Sequence, residues 1–162
     1  MRLALVVVLA TQASTLPPEL LGYKQWAAAT KEPHPIPMQL WTQCSLPTHE
    51  QESSAIQEHG PHAKRYVRVF GNGIASHELI AKGTPHFPVG SIIVKEKLLS
   101  SSERKPEAIA AMIKREAGFN KATGDWDFMF IRDGKVAVET SSCAKCHESR
   151  ADQDYVFRSY LP

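Results

Sequence analysis

Cys143, Cys146 and His147 form the sequence Cys-Ala-Lys-Cys-His, in which two thiols lie three residues apart and an imidazole follows at once. Groups at this spacing can bind zinc, form a redox-active disulfide or anchor a covalently bound haem. A structural zinc site usually draws four ligands from two close pairs. The chain has one Cys-x-x-Cys pair, and upstream of it only His59 and His62 form a comparable pair. Zinc is therefore disfavoured.

A thioredoxin-like dithiol is also disfavoured, because it is expected within a βαβ unit, whereas this motif follows a predicted hairpin. In c-type haem attachment the two thiols add to the vinyl groups of the porphyrin, and the adjacent imidazole becomes an axial ligand of the iron. Only this third chemistry requires a histidine next to the second cysteine. The motif therefore predicts one covalent haem c, held by Cys143 and Cys146 with His147 on the iron.

The first residues support this interpretation. Arg2, the apolar run 3–10 and Ala13 have the pattern of a short secretory signal, so residues 1–13 are predicted to be a signal peptide. Haem c is attached outside the cytoplasm, and a periplasmic or secreted protein is the consistent expectation. The apolar run is shorter than the ~20 residues that span a bilayer, so no membrane span is expected.

Composition limits the partners and the number of domains. The 162 residues carry a net charge of +2 without a run of like charges, which gives no reason to expect nucleic acid. This length suits a single domain, predicted over residues 19–162. Cys44 has no sequence neighbour with which to form a disulfide framework.

The elements that must position the motif are read from apolar periodicity and turn residues. The patterns predict a mixed α+β fold, mainly an antiparallel sheet with a few packed helices. Helices are predicted at 19–30, 74–81 and 106–118, with the haem motif at the start of a further, C-terminal helix. Strands are predicted at 64–72, 89–99, 126–131 and 135–139, the last two forming a hairpin around Asp133-Gly134.

Three segments resemble the cytochrome P-460 family, which includes the cytochromes c′-beta. They are the strand Phe87–Leu98, the aromatic strand Gly124–Phe130 and the motif with its continuation, Cys143–Phe157. The likeness extends over about residues 20 to 160. It implies a mainly antiparallel fold, often dimeric, with haem c on a C-terminal Cys-x-x-Cys-His. A homodimer and a redox partner cytochrome are therefore expected.

The family also implies two kinds of function. The P-460 members carry a lysine cross-linked to the porphyrin and oxidise hydroxylamine, with nitric oxide chemistry; this lysine corresponds to Lys95. The c′-beta members lack the cross-link and bind nitric oxide under apolar side chains. An oxidoreductase, a nitric oxide binding protein and an electron-transfer cytochrome all remain open. No methionine follows His147, so an open distal iron site for a small nitrogenous ligand is expected.

Strand alternation puts Ile93, Lys95 and Lys97 on one face, and Lys95 points either to solvent or to the haem edge. The resemblance further implies a distal arginine, for which Arg68 is preferred to Arg65. It also implies a distal carboxylate in the enzyme members. The best gapless match here is Ala110, and Glu107 or Glu116 would correspond only with a shift of the alignment.

Other side chains are assigned from the residue pattern. Phe70, Phe128 and Phe130 are candidates for apolar walls of the pocket. Asp152 or Asp154 is the candidate acceptor for the His147 ring N–H.

Overall fold

The computed structural model describes residues 16–37, 64–136, 140–158 and 161. The predicted signal peptide, Cys44, His59 and His62 lie outside these residues. The described strands are β1 (Ala27–Ala28), β2 (His34–Pro37), β3 (Lys64–Gly71), β4 (Ile92–Leu98), β5 (Ala108–Lys114), β6 (Trp126–Arg132) and β7 (Lys135–Val136). The described α-helices are α1 (Ala75–Ile80) and α2 (Ser141–Glu148), and short 3-10 turns lie at Pro18–Leu20, Tyr23–Gln25, Lys121–Thr123 and Ala151–Gln153.

The described strands form one antiparallel sheet in the order β1-β3-β4-β5-β6-β7, with β2 also paired to β3. From β3 to β6 each strand pairs with the next strand along the chain, as consecutive strands usually do, and helix α1 lies in the connection between β3 and β4. The predicted α+β class is confirmed. The predictions of β3, α1, β4 and the β6–β7 hairpin are also confirmed, except that residues 137–139 lie outside the described part.

Two predicted helices are wrong. The segment predicted as a helix at 106–118 contains strand β5, which pairs with β4 and β6 along its whole length. Its buried residues include Ile109, Met112 and Ile113, whose spacing is helical, but Ala108 and Ala111 are buried as well. A short apolar run buried on both faces fits a central strand as well as a helix. Pairing with the neighbouring strands determines that this segment is a strand.

The segment 19–30 forms two 3-10 turns and strand β1 instead of a helix. Gly22 lies between the turns with a left-handed φ of 76°, a conformation that interrupts a right-handed helix and that glycine adopts without steric cost. Ala27 and Ala28 then pair with Gly71 and Phe70 of β3. The backbone of this segment therefore forms hydrogen bonds with the sheet instead of within a helix.

The sheet has an apolar core on each face because side chains alternate along every strand. One core contains Val69, Ile93, Met112 and Phe128, together with Leu79 of α1. The opposite core contains Phe70, Val94, Ile109 and Ile131, together with Leu20 and Tyr23 from the N-terminal turns. Helix α2 packs against the first core, which we call the motif face. Within the described residues, no helix has the length and apolarity needed to cross a membrane.

Candidate functional site

Helix α2 carries the whole Cys-x-x-Cys-His motif, as predicted. Residues four apart lie on one side of a helix, so Cys143 and His147 face the same way. Cys143 and Ala144 pack against the core of the motif face, and Cys146 is half-buried. The helix therefore presents one thiol and the imidazole to the sheet.

The His147 ring is held by two phenylalanines and a carbonyl group. Its centroid lies 5.0 Å from that of Phe128 and 5.1 Å from that of Phe157. Its Nδ1 lies 2.6 Å from the carbonyl oxygen of Tyr155. A carbonyl oxygen can only accept, so Nδ1 donates the proton and Nε2 keeps its lone pair. This is the arrangement that an iron-binding histidine requires.

The sequence-based prediction that an aspartate accepts the hydrogen bond from the His147 ring is wrong. Neither Asp152 nor Asp154 contacts His147 through its side chain; Asp152 bonds to Gln153. Asp154 accepts from Lys114 and from the Phe87 amide. The acceptor is the backbone carbonyl oxygen of Tyr155. Because every residue carries such an oxygen, no sequence pattern could indicate which one would bind the His147 ring.

Lys95 lies in the same pocket as the motif. The pocket is lined by Lys95, Cys143 and His147 and by apolar side chains that include Val69, Ile93, Ala110, Met112, Phe128 and Phe157. Across the sheet, Val69, Lys95 and Ala110 are successive partners in register. The half-buried Lys95 is thus placed on the motif face of β4, where strand alternation also puts Ile93 and Lys97.

Arg68, which is expected to be a distal arginine, lies away from the pocket. Its guanidinium bonds to Glu96 Oε2 at 3.2 Å and to the Glu103 carbonyl oxygen at 2.8 Å. Glu96 alternates with Lys95 and lies on the face away from the pocket. The side chain of Arg65, the other candidate, is not described.

Glu96 is fully buried and also accepts a 2.6 Å hydrogen bond from the Tyr23 hydroxyl. Burial raises the pKa of Tyr23 above its usual range, and the hydrogen bond and negative charge of Glu96 raise it further. The polar cluster of Tyr23, Arg68 and Glu96 therefore supports the sheet from behind and does not reach the pocket.

The three phenylalanines assigned to pocket walls take different places. Phe128 lines the pocket and contacts the His147 ring, whereas Phe70 belongs to the opposite core. Phe130 lies beside the buried Lys97, whose Nζ is 5.2 Å from the ring centroid. Val69 and Met112 are pocket residues that sequence reasoning did not assign; their face becomes evident only from the strand register.

Comparison with protein families supports the same conclusion as the geometry. The model of the family described as Cytochrome P460 matches residues 22–158, which is most of the chain. The chain belongs to the cytochrome P460 family. It is accordingly a haem protein and a cytochrome. A comparison with curated proteins finds no match.

The residues of this cytochrome P460 fit a haem. Two thiols one helical turn apart are next to a buried imidazole whose Nε2 is available as a ligand, since Nδ1 is bonded to Tyr155. The surrounding wall is apolar except for Lys95, as an apolar macrocycle requires. The haem would supply a redox-active iron. The chain would supply the iron ligand, fix the orientation of that ligand and place one amine in the pocket.

Proposed function

We propose that the protein is a periplasmic mono-haem c cytochrome that binds hydroxylamine or nitric oxide at an open distal iron position and takes part in their redox chemistry. Cys143 and Cys146 would hold the haem through thioethers, and Nε2 of His147 would bind its iron. Lys95 would be the residue joined to the porphyrin: an amine N–H bond and a ring C–H bond would be replaced by an N–C bond, and two protons and two electrons would pass to an external two-electron oxidant such as a peroxide. One observation carries the proposal: Lys95, Cys143 and His147 line a single apolar pocket. The family resemblance adds a homodimer and electron exchange with a partner cytochrome.

The chain's own groups have separate tasks. The Tyr155 carbonyl fixes the ring orientation of His147 and retains its Nδ1 proton. Phe128 and Phe157 flank the imidazole and keep water from it. Val69 and Ala110 lie on either side of Lys95 in the sheet, so the amine has an apolar neighbour on each adjacent strand.

The decisive experiment combines peptide mass mapping with absorption spectra of protein matured with haem. Lys95→Leu is compared with Lys97→Leu, which removes a lysine from the same face of the same strand. The proposal expects a haem-linked Lys95 peptide and a red-shifted ferrous band in the wild type and in Lys97→Leu, and the loss of both in Lys95→Leu. An ordinary haem c spectrum that Lys95→Leu leaves unchanged contradicts the cross-link.

A double variant, Cys143→Ser with Cys146→Ser, tests the attachment itself. Covalent haem should be lost entirely. Haem that remained bound through thioethers in this variant would overturn the proposal as a whole.

A second function is favoured by Ala110. It lies opposite Lys95 in the pocket, at the position that matches the distal carboxylate of the enzyme members. Among the described residues that line the pocket, no carboxylate is present to move a proton. This favours nitric oxide binding without turnover, in the manner of the cytochromes c′-beta. Steady-state oxidation of hydroxylamine with an added electron acceptor distinguishes the two functions, because only the enzyme turns over.

A further inference from the structure

Two residues in succession adopt left-handed backbone conformations just after the haem motif. Asp154 has a φ of 48° and Tyr155 a φ of 63°. This conformation is sterically unfavourable for side chains other than glycine. Such conformations persist where surrounding contacts determine them and are frequent at functional sites. Here the turn directs the Tyr155 carbonyl oxygen at His147 Nδ1, 2.6 Å away.

Asp154 joins this turn to three other parts of the fold. Its carboxylate accepts from Lys114 Nζ at the end of β5, at 2.5 Å, and from the Phe87 amide before β4, at 2.8 Å. Its carbonyl oxygen accepts from Trp126 Nε1 at the start of β6, at 2.8 Å. The Lys114 and Asp154 side chains are each 12% exposed, so the ion pair is shielded from water and from salt.

Lys114, Trp126 and Asp154 also contact one another. Lys114 Nζ lies 5.1 Å from the centroid of the Trp126 ring, which is fully buried. The ring therefore limits where the ammonium group can lie, and the ammonium fixes the carboxylate. The Tyr155 amide is anchored in turn by the Arg150 carbonyl oxygen at 2.8 Å. The carboxylate and carbonyl groups of Asp154 and the amide and carbonyl groups of Tyr155 thus each have a defined partner.

We propose that Asp154, Lys114 and Trp126 act as positioning residues for the iron ligand: they hold the Tyr155 carbonyl rigidly against His147 Nδ1 and so set the reduction potential of the haem. A retained Nδ1–H···O bond makes Nε2 a stronger donor to iron, which stabilises the ferric state. Loosening the turn weakens this bond and raises the potential. The inference rests on the proposed role of His147 as the axial ligand.

The test uses two substitutions with opposite charge effects in the haem-loaded protein. Asp154→Asn removes a negative charge and Lys114→Met a positive one. If these residues acted on the iron by their charges alone, the first would raise the potential and the second would lower it. If the residues position His147, we expect both variants to raise the reduction potential and to lower the iron–histidine stretching frequency in resonance Raman spectra. Trp126→Phe, which changes no charge, should shift both quantities in the same direction by a smaller amount.

Asp152→Asn is the matched control, because it removes an exposed carboxylate two residues away from Asp154 and should leave both readouts unchanged. Shifts of opposite sign for Asp154→Asn and Lys114→Met, or an unchanged iron–histidine band, overturn the inference. If a single variant does not accumulate, the double variant Asp154→Asn with Lys114→Met keeps the net charge and must still raise the potential. Absence of an iron–histidine band in the wild type would instead refute the axial role of His147.

Discussion

Lys95 of β4 lies directly opposite Ala110 of β5, and both side chains line the pocket that contains His147. Side chains opposite each other in an antiparallel pair have Cβ atoms about 4.5–5.5 Å apart. An acidic side chain at position 110 would therefore reach the Lys95 amine. The two residues of this pair favour different proposed functions. The Lys95 amine matches the cross-linking lysine of the hydroxylamine-oxidising members, whereas Ala110 lacks their carboxylate and favours nitric oxide binding without turnover.

Ala110→Glu is expected to give or increase hydroxylamine oxidation. A positioned general base contributes about 100-fold or more to a rate, and Ala110 is only partly buried, so the longer side chain can be accommodated. The rate is measured with hydroxylamine and an added electron acceptor. Ala110→Gln is the control of equal size that cannot take up a proton. Equal turnover in the Gln and Glu variants would show that proton transfer is not what Ala110 lacks.

Arg68→Met is expected to lower stability and leave the haem spectrum unchanged, because Arg68 bonds to Glu96 behind the sheet. Losing a hydrogen bond to a charged group costs about 1.5–3 kcal/mol, measurable by urea unfolding. Val69→Ala is the matched comparison, since Val69 is the next residue and lines the pocket. It should change nitric oxide affinity, whereas Arg68→Met should not. A changed affinity in Arg68→Met would restore Arg68 as a distal residue.

The sequence was most informative where a feature depends only on residues that are close together in the chain. The spacing of Cys143, Cys146 and His147 predicts haem attachment, and the helix predicted to carry this motif is confirmed. Alternation put Lys95 and Glu96 on opposite faces, and the register agrees. These features follow from the geometry of one strand or one helix, which is local.

What could not be predicted depends on contacts between distant segments. Strand β5 has helix-like apolar spacing, and only its pairing with β4 and β6 decides its conformation. Arg68 could be assigned to a face only once its partner Glu96, on another strand, was known. The Tyr155 carbonyl that holds His147 is a backbone group, which every residue type carries.

Gly124→Ala is expected to destabilise the protein and disturb His147. Gly124 has a φ of 60°, and a methyl group there would overlap the Tyr155 ring. The left-handed conformation costs about 1–2 kcal/mol, and overpacking adds about 1–3 kcal/mol. Gly22→Ala is the control, since its φ of 76° imposes similar strain with no atom within 4 Å. Equal losses in both variants, with an unchanged iron–histidine band in Gly124→Ala, would show that Tyr155 adjusts freely.

Tyr23→Phe tests the hydrogen bond behind the sheet. The Tyr23 hydroxyl donates to the fully buried Glu96 carboxylate, so its removal should cost about 1.5–3 kcal/mol at neutral pH. Alkaline pH gives an independent signature. Burial and Glu96 raise the pKa of Tyr23 in the folded protein, whereas tyrosine in the unfolded chain titrates near its ordinary pKa of about 10.

Above that pH the unfolded chain loses a proton that folded Tyr23 keeps, so the free energy of unfolding falls as pH rises. This contribution is fully present below pH ~10 and is lost at up to about 1.4 kcal/mol per pH unit above it. Urea unfolding of the wild type and Tyr23→Phe between pH 8 and ~11.5 should therefore give curves that converge above pH ~10, because the variant lacks this titrating group. Curves that stay parallel over the whole range would show that Tyr23 ionises as readily in the folded protein as in the unfolded chain.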